Sequence, residues 1–462
     1  MVEFARQGPE YTHGAGDDAD PAHAELEREV FVGGVNEVVR EGCVVHRPAG
    51  PWSATVQRLL AHLTETGFDG APAPLGLSAD GREERVEFLP GEVGHDFAAP
   101  EVRSDASLVA AAGLLRRLHD ASATFRRTDA DVWYLPVREP AEVICHGDAA
   151  TYNTVFRGGL PVAFIDFDTA HPAPRLWDAA YTAYRFVPLY APDEVEHTQP
   201  AAEARRRLAL FARAYGLTDA QRAALPETAA ERLRAHVALM RDQAAAGHEA
   251  FARHLAEGHD RRYLTDADWI ERVYGGLLRG TRLTLRPVRP QDHAWLLDHW
   301  TAPDVRRFLY DDEVLTSDQV GAEIERSVRG FAEDGYGLWL VEAAGVDSDA
   351  DTSPLDAGDA AEAGEARIGT VGIRPLEDLG LELYYSLAPE AWGRGYATEA
   401  AGAVRDHALG PLGLPELLAE VDEGNLASAA IVAKLGLEPF EVVPGVLGPM
   451  VRYRPRRGEA VI

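Results

Sequence analysis

Two short apolar stretches of the chain flank the run His146-Gly147-Asp148-Ala149-Ala150-Thr151-Tyr152-Asn153, and the second stretch leads into Ile165-Asp166-Phe167-Asp168. Acids and a carboxamide in that register suit phosphoryl transfer. Such chemistry needs a carboxylate that orients a substrate hydroxyl and accepts its proton. It also needs oxygen ligands that hold Mg²⁺ against nucleotide phosphates. Asp148 fits the first role, Asn153 and Asp166 fit the second as metal ligands, and His146 would brace the loop. A second set lies downstream: Trp392-Gly393-Arg394-Gly395-Tyr396-Ala397-Thr398-Glu399, where a strand meets a helix. Small residues there let backbone approach a ligand, and the free amides of a helix start attract anions. Arg394, Gly395, Tyr396 and Ala397 therefore read as a pyrophosphate cradle. A dinucleotide fingerprint is a weak match, since Thr398 stands where a third glycine is wanted and the turn comes late in the chain.

The elements that would position these groups follow from periodicity. Short β-like runs at 30–32, 37–39 and 43–47 are punctuated by Gly33-Gly34 and Glu41-Gly42. Residues 52–66 carry Val56, Leu59, Leu60 and Leu63 at helical spacing, and 75–77 and 86–89 read as strands. After Leu89-Pro90-Gly91 the chain turns helical: 107–119, 178–186, 201–215, 219–225 and 229–255, with short strands at 143–145 and 162–167 around the first polar loop. A new alternation begins at 282–286. Helices are expected at 292–299, 317–334, 396–409 and 426–435, and strands at 337–343, 368–373, 381–387 and 417–421. Residues 345–366 hold seven acids and no base, few of them bulky and apolar, which reads as a disordered hairpin tip.

The pattern H-G-D-x-x-x-x-N followed by I-D-F-D, with Pro174-Arg175-Leu176-Trp177-Asp178 after it, resembles the aminoglycoside phosphotransferase family of kinase-like enzymes over roughly residues 27–275. The resemblance implies Asp148 as catalytic base, Asn153 and Asp166 as metal ligands, Asp178 as a bracing acid, and ATP or GTP with Mg²⁺. Loop capping is the alternative reading for Asp168 and Asp178. Kinase-like folds also use a small-lobe lysine that meets the nucleotide phosphates, and residues 1–275 contain none. Arg47 stands in the corresponding strand, with Gln57 and Glu65 as its only prospective helix partners. Arginine is a wider fork than lysine and does not replace it conservatively. Gly33-Gly34-Val35-Asn36 reads either as a phosphate-covering turn or as a plain hairpin turn. The domain therefore either phosphorylates through an altered clamp or binds without turnover.

W-G-R-G-Y-A-T-E-A, joined to Asn425-Leu426-Ala427-Ser428 and Lys434-Leu435-Gly436, resembles the GNAT superfamily of N-acetyltransferases over roughly residues 281–455, nearest the branch that acetylates protein N-terminal amines. The resemblance implies acetyl-CoA as donor, with its pyrophosphate on the amides of Arg394–Ala397. Amine attack on a thioester needs a base and a proton for the leaving thiolate. Glu382, on the strand before the cradle, is the candidate base, with an exposed strand acid as the alternative. Many family members place a tyrosine seven residues after the asparagine, where this chain has Val432. Ser428 or water must then serve as the acid, although Ser428 also reads as a helix cap. Asn425 would fix the cofactor arm.

The whole chain bounds these readings. Its 462 residues suggest two or three domains, and 46% hydrophobic content is that of a globular protein. Acids outnumber bases 75 to 45, for a formal charge of −30, which disfavours nucleic acid and anionic membrane surfaces and suits cationic small molecules. Lys434 is the one lysine; every other basic residue is arginine. Cys43 and Cys145 cannot build a disulfide framework, so a reducing, cytoplasmic setting is expected, with no signal peptide and no membrane span. The expected architecture is an acidic leader (1–26), an α+β kinase-like two-lobed domain (27–275), and an α/β GNAT acetyltransferase domain (281–455) carrying the acidic insert. The expected partner is a small-molecule amine or hydroxyl substrate such as an aminoglycoside, modified at a hydroxyl by the first domain and at an amine by the second, a bifunctional antibiotic-resistance activity. In the alternative, only the acetyltransferase is active, on protein N-termini or a small amine, and the first domain is a binding module. The sequence leaves the oligomeric state open.

Overall fold

The computed structural model describes residues 28–32, 37–95, 99–192, 199–343, 366–377 and 379–456. The expected leader, the turn at 33–36 and the acidic stretch up to 365 lie outside them. The chain divides into two compact units: 1–198 with 210–216 and 228–267, and 199–209 with 217–227 and 268–462.

The first unit begins with an antiparallel sheet in the order Arg28–Val32, Glu37–Glu41, Val44–Pro48, Glu83–Glu87, Pro74–Leu77. The helix Ser53–Glu65 lies against its last strand and buries Val56, Leu59, Leu60 and Leu63, the stripe read from the sequence. The helix Asp105–Ser122 is capped by Ser104, whose side chain accepts from the Ser107 amide, and it lies against the strands Val143–Cys145 and Leu160–Phe164. Val143–Cys145 pairs with His171–Ala173, and Thr154–Arg157 pairs with Leu160–Phe164. The 146–153 loop and the Asp166 turn thus emerge from two small neighbouring ladders. The strand expected to reach residue 167 stops at Phe164. Asp166 takes a left-handed φ of 63°, and a 3-10 turn covers Phe167–Thr169. The two helices expected to part near Pro226 form one, Asp219–Ala245, because proline keeps helical φ and forfeits only one backbone bond. The break falls at Gly247, with φ 93°, before Glu249–Ala256. His259–Val273 is a further helix that the periodicity did not isolate.

In the second unit an antiparallel sheet runs Leu278–Arg279, Leu283–Pro287, Leu338–Ala343, Ala366–Leu376, Gly380–Leu387. Alternation along Leu338–Ala343 feeds both faces. Trp339 and Val341 join the core under the helix Tyr396–Leu409, while Leu338 and Leu340 pack with Leu296 and Trp300 of His293–Thr301 and with Val320 and Ile324 of Ser317–Glu333. A second sheet orders Ala419–Asp422, Pro449–Pro455, Leu437–Pro444. The two sheets meet at one parallel contact: Leu418 N donates to Leu381 O at 2.8 Å, and Leu383 N donates to Leu418 O at 2.9 Å. Beyond that contact, Gly380–Leu387 and Ala419–Asp422 share no further ladder among the described residues. Among those residues, no helix is long and apolar enough to cross a membrane.

Burial holds three histidines neutral, pushing His171 and His299 down to about 4 and His236 down to about 3. Between those values and the ordinary 6.5 the unfolded chain binds more protons than the native one, so stability falls as pH falls through that window. Chemical unfolding at pH 8 and pH 5 should show a loss at pH 5 of roughly 1–2 kcal/mol per histidine, and substituting His299 by Gln should lessen the second unit's dependence by one histidine's share, with His407, also pushed down to about 4 by burial, carrying the rest.

Candidate active sites

In the first unit, Asp178 sits in the first turn of the helix Arg175–Phe186 and is 1% exposed. Its carboxylate accepts the amides of His146 at 2.7 Å and Gly147 at 3.0 Å, and lies 3.0 Å from His119 Nε2. Burial alone would raise its pKa. His119 and the loop donors overcome that and hold it well below the usual carboxylate range. Gly147 has φ 83°, and a Cβ there would stand 2.3 Å from the Thr169 carbonyl oxygen, so glycine is required. The His146 ring lies 3.0 Å from the Ile165 carbonyl, one residue before Asp166.

Asp148 is ordered at both oxygens: Tyr152 Oη donates to Oδ1 at 2.8 Å, and Asn153 Nδ2 donates to Oδ2 at 3.0 Å. The Asn153 carbonyl accepts Ile165 N at 2.9 Å. The structure thus gathers Asp148, Asn153 and the chain at Asp166 into one hydrogen-bonded cluster. Burial raises the Asp148 carboxyl above its ordinary value, against the Tyr152 hydrogen bond.

Arg47 is the centre of an ion cluster. Its guanidinium lies 2.8 Å from Glu84, 2.9 Å from Asp166 and 2.8 Å from Asp168. Glu84 is fully buried in the strand Glu83–Glu87, and Gln57 Nε2 donates to its other oxygen at 2.7 Å. The helix therefore does not supply the partner acid. Gln57 reaches Arg47 only through Glu84, and Glu65 is exposed. Glu84 was missed because it looks like one acid in a charged edge run, and only the register Arg47↔Glu84 brings it across. Burial, eased by Arg47, pushes Asp168 up to about 6.

In the second unit, Gly395 caps the helix Tyr396–Leu409 with φ 80°, and Gly393 has φ 72°. A Cβ on Gly393 would meet no atom within 4 Å, and one on Gly395 only Arg282 Nη2 at 3.7 Å, so the turn is open rather than packed. Its first amides have no acceptor within the helix. Arg282 holds the turn from outside: Nε donates to Glu399 at 2.8 Å, Nη1 donates to the Arg394 carbonyl at 3.0 Å, and the guanidinium lies 4.7 Å from the Tyr396 ring centroid. No local pattern marks Arg282, which is remote in sequence from its partners.

Glu382 is 4% exposed and receives Arg374 Nε at 2.5 Å across the ladder pair Arg374↔Glu382. Burial raises its pKa, and Arg374 opposes the rise. Asn425, not Ser428, caps the helix Leu426–Lys434: its side-chain oxygen accepts the Ser428 amide at 3.1 Å. That oxygen is thereby committed to the helix. Tyr385 Oη donates to the Ser428 carbonyl at 3.3 Å, linking the Gly380–Leu387 strand to the helix after Ala419–Asp422. Val432 is buried, and Lys434 is exposed at the helix end.

Residues 282–438 match a family model described as an acetyltransferase (GNAT) domain, and residues 127–211 match the phosphotransferase enzyme family. The trifolitoxin immunity protein of Rhizobium leguminosarum bv. trifolii is 36% identical over 197 residues, which span 41% of this chain and 74% of that protein. A solved acetyltransferase from Agrobacterium tumefaciens str. C58 is 25% identical over 39% of this chain and 94% of its own, with a TM-score of 0.32. A choline/ethanolamine kinase family protein from Mesorhizobium loti is 17% identical over 54% and 95%, with a TM-score of 0.36. The chain belongs to the family of the trifolitoxin immunity protein, and it is an enzyme that carries a kinase-like phosphotransferase-family domain together with a GNAT acetyltransferase domain.

Proposed function

We propose that the protein is a two-domain transferase that phosphorylates a hydroxyl of a small polar compound and acetylates an amine. One observation carries the reading: each unit holds a carboxylate, Asp148 or Glu382, whose basicity burial raises and whose direction neighbouring donors fix. The name of the immunity relative supports modification of a toxic compound as the purpose. Aminoglycosides, with hydroxyls and amines on one molecule, are the first acceptors to try, and protein N-termini are the competing acceptors for the second unit.

In the first unit, Asn153 and Asp166 offer the oxygen donors that a hard divalent cation prefers, so they fit Mg²⁺. Bound there, the ion would neutralise the phosphates of ATP or GTP. Arg47 supports Asp166 and Asp168 and meets phosphate in place of the lysine. Asp148 orients the acceptor hydroxyl and takes its proton. In the second unit, the amides of Arg394–Ala397 receive the pyrophosphate of acetyl-CoA. Glu382 takes a proton from the attacking amine, directly or through water. The amine nitrogen then bonds to the acetyl carbon and the carbon–sulfur bond breaks. Tyr385, pushed up to about 12 by burial and so protonated, supplies the thiolate's proton, with Ser428 holding its hydroxyl.

Mass spectrometry of acceptors incubated with acetyl-CoA alone and with Mg-nucleotide alone should show an acetyl gain in the first case and a phosphoryl gain in the second. Asp148→Asn should lower phosphoryl transfer ~10²–10⁴-fold and spare acetylation; equal phosphorylation by both proteins would remove Asp148 from the base role. Glu382→Gln should slow acetylation ~10²-fold and leave phosphorylation intact. Because burial raises Glu382, wild-type acetylation should rise with pH through a limb above the ordinary glutamate value. For Arg47, Arg47→Ala leaves Glu84 buried without its cation, so urea unfolding should lose about 3–5 kcal/mol. Arg47→Lys should keep most of that stability but shrink the thermal shift given by Mg-ATP or Mg-GTP. Absence of any nucleotide shift in the wild type would favour the first unit as a binding module.

A further inference from the structure

We infer that the hydroxyl compound taken by the first unit carries an anionic group, seated at Arg185 beside Asp148; this rests on Asp148 being the phosphotransfer base. Arg185 lies on the helix that also carries Asp178. Its guanidinium carbon is 5.0 Å from the ring centroid of Tyr152, 5.7 Å from Tyr184 and 5.8 Å from Tyr190. Tyr152 is the residue whose hydroxyl orders Asp148. A single aromatic ring therefore separates the base from a guanidinium.

Arg185 has no carboxylate of the described residues at ion-pair distance, although Asp148 lies near enough to feel its charge. Among the described residues it makes no ion pair, and its Nε is buried without a hydrogen-bond partner. Arg47 by contrast lies on three carboxylates, whereas Arg232, also without an ion pair among the described residues, donates from Nη2 to the Gly147 carbonyl at 2.8 Å and lies over the Trp177 and Tyr181 rings. The chain carries 75 acids against 45 bases, yet none among the described residues forms an ion pair with Arg185. The nearby acid Asp266 is engaged elsewhere, accepting Tyr184 Oη at 2.7 Å and Ala191 N at 2.7 Å. The tyrosine faces stabilise the cation without neutralising it. Arg185 is partly exposed. A planar fork of that kind recognises carboxylate or phosphate oxygens. An ammonium-rich acceptor would be set against two guanidiniums, Arg185 and Arg232, both close enough to help keep His236 neutral. The acidic surface that suggested a cationic acceptor acts at longer range and is screened by salt.

In the step itself, the acceptor's hydroxyl oxygen bonds to the γ-phosphorus of the nucleoside triphosphate. The bond from that phosphorus to the bridging oxygen breaks, the nucleoside diphosphate leaves, and the hydroxyl proton passes to Asp148. The anionic group is unchanged and serves to hold the hydroxyl in place.

Calorimetric titration of the full chain tests this with matched pairs: glycerate with glycerol, malate with butanetriol, and gluconate with sorbitol, together with kanamycin. At least one acid should bind tenfold or more tighter than its neutral partner. Arg185→Met should lower that affinity at least tenfold and leave the neutral compound unaffected, and Arg185→Lys should restore part of it. Equal binding within every pair, an unchanged affinity in Arg185→Met, or tighter binding of kanamycin than of any acid overturns the proposal. Should Arg185→Met lose the wild-type circular dichroism, the pairs in wild type and Arg185→Lys decide alone. Nucleotide-dependent phosphorylation measured on the same samples separates the two readings. Arg185-dependent binding of an acid without phosphoryl gain in the acid would sink the phosphotransferase reading and keep the anion seat. Phosphorylation of neutral compounds or kanamycin at a KM independent of Arg185 would do the reverse.

Discussion

The geometry of the first unit's polar loop depends on the buried carboxylate of Asp178. Desolvating an acid is costly unless donors replace its water, and here the amides of His146 and Gly147 and the ring of His119 do so. The bargain runs both ways. The loop amides have no strand to pair with, so the carboxylate satisfies them, and in satisfying them it fixes where the following residue, Asp148, must point. Gly147 is the conformational price, since its positive φ and the nearness of Thr169 leave no room for a side chain.

The same logic of unpaired backbone shapes the second unit. Its two sheets touch through Leu381, Leu383 and Leu418 and then part. Strands that part leave polar edges and space between them, and the Gly393–Gly395 turn presents helix amides at the end of one of those strands. Arg282 and Glu399 stiffen that turn through side chains, so the amides themselves stay uncommitted.

Arginine chemistry runs through both units. With one lysine in the chain, buried positive charge falls to a planar fork that can hold several acids at once. Arg47 does so with Glu84, Asp166 and Asp168, and Arg374 pairs with the candidate base Glu382. Arg185 and Arg232 depart from this, meeting rings and no acid among the described residues, and Arg185, beside the base, carries the proposal of an anionic acceptor.

Much of this was legible in the residues. Helical stripes such as Val56, Leu59, Leu60 and Leu63, and the alternation through 338–343, reflect local geometry that any core must satisfy, so periodicity reveals them. The two motifs were legible because loop chemistry requires fixed residue types at fixed spacing. Partners remote in sequence were not. Glu84 faces Arg47 only through strand register, Arg282 reaches Glu399 only after the sheet and helix pack, and Tyr385 finds the Ser428 carbonyl only across two strands. Asn425 displaced Ser428 as the cap because the helix begins one residue after it, a boundary that local propensity does not fix to the residue. Sequence alone determined which chemical groups the protein owns and which helices and strands carry them, because those follow from side-chain type and repeat. Tertiary structure decided which charges meet and which, like Arg185, make no ion pair among the described residues, because burial and distance exist only once the chain has folded.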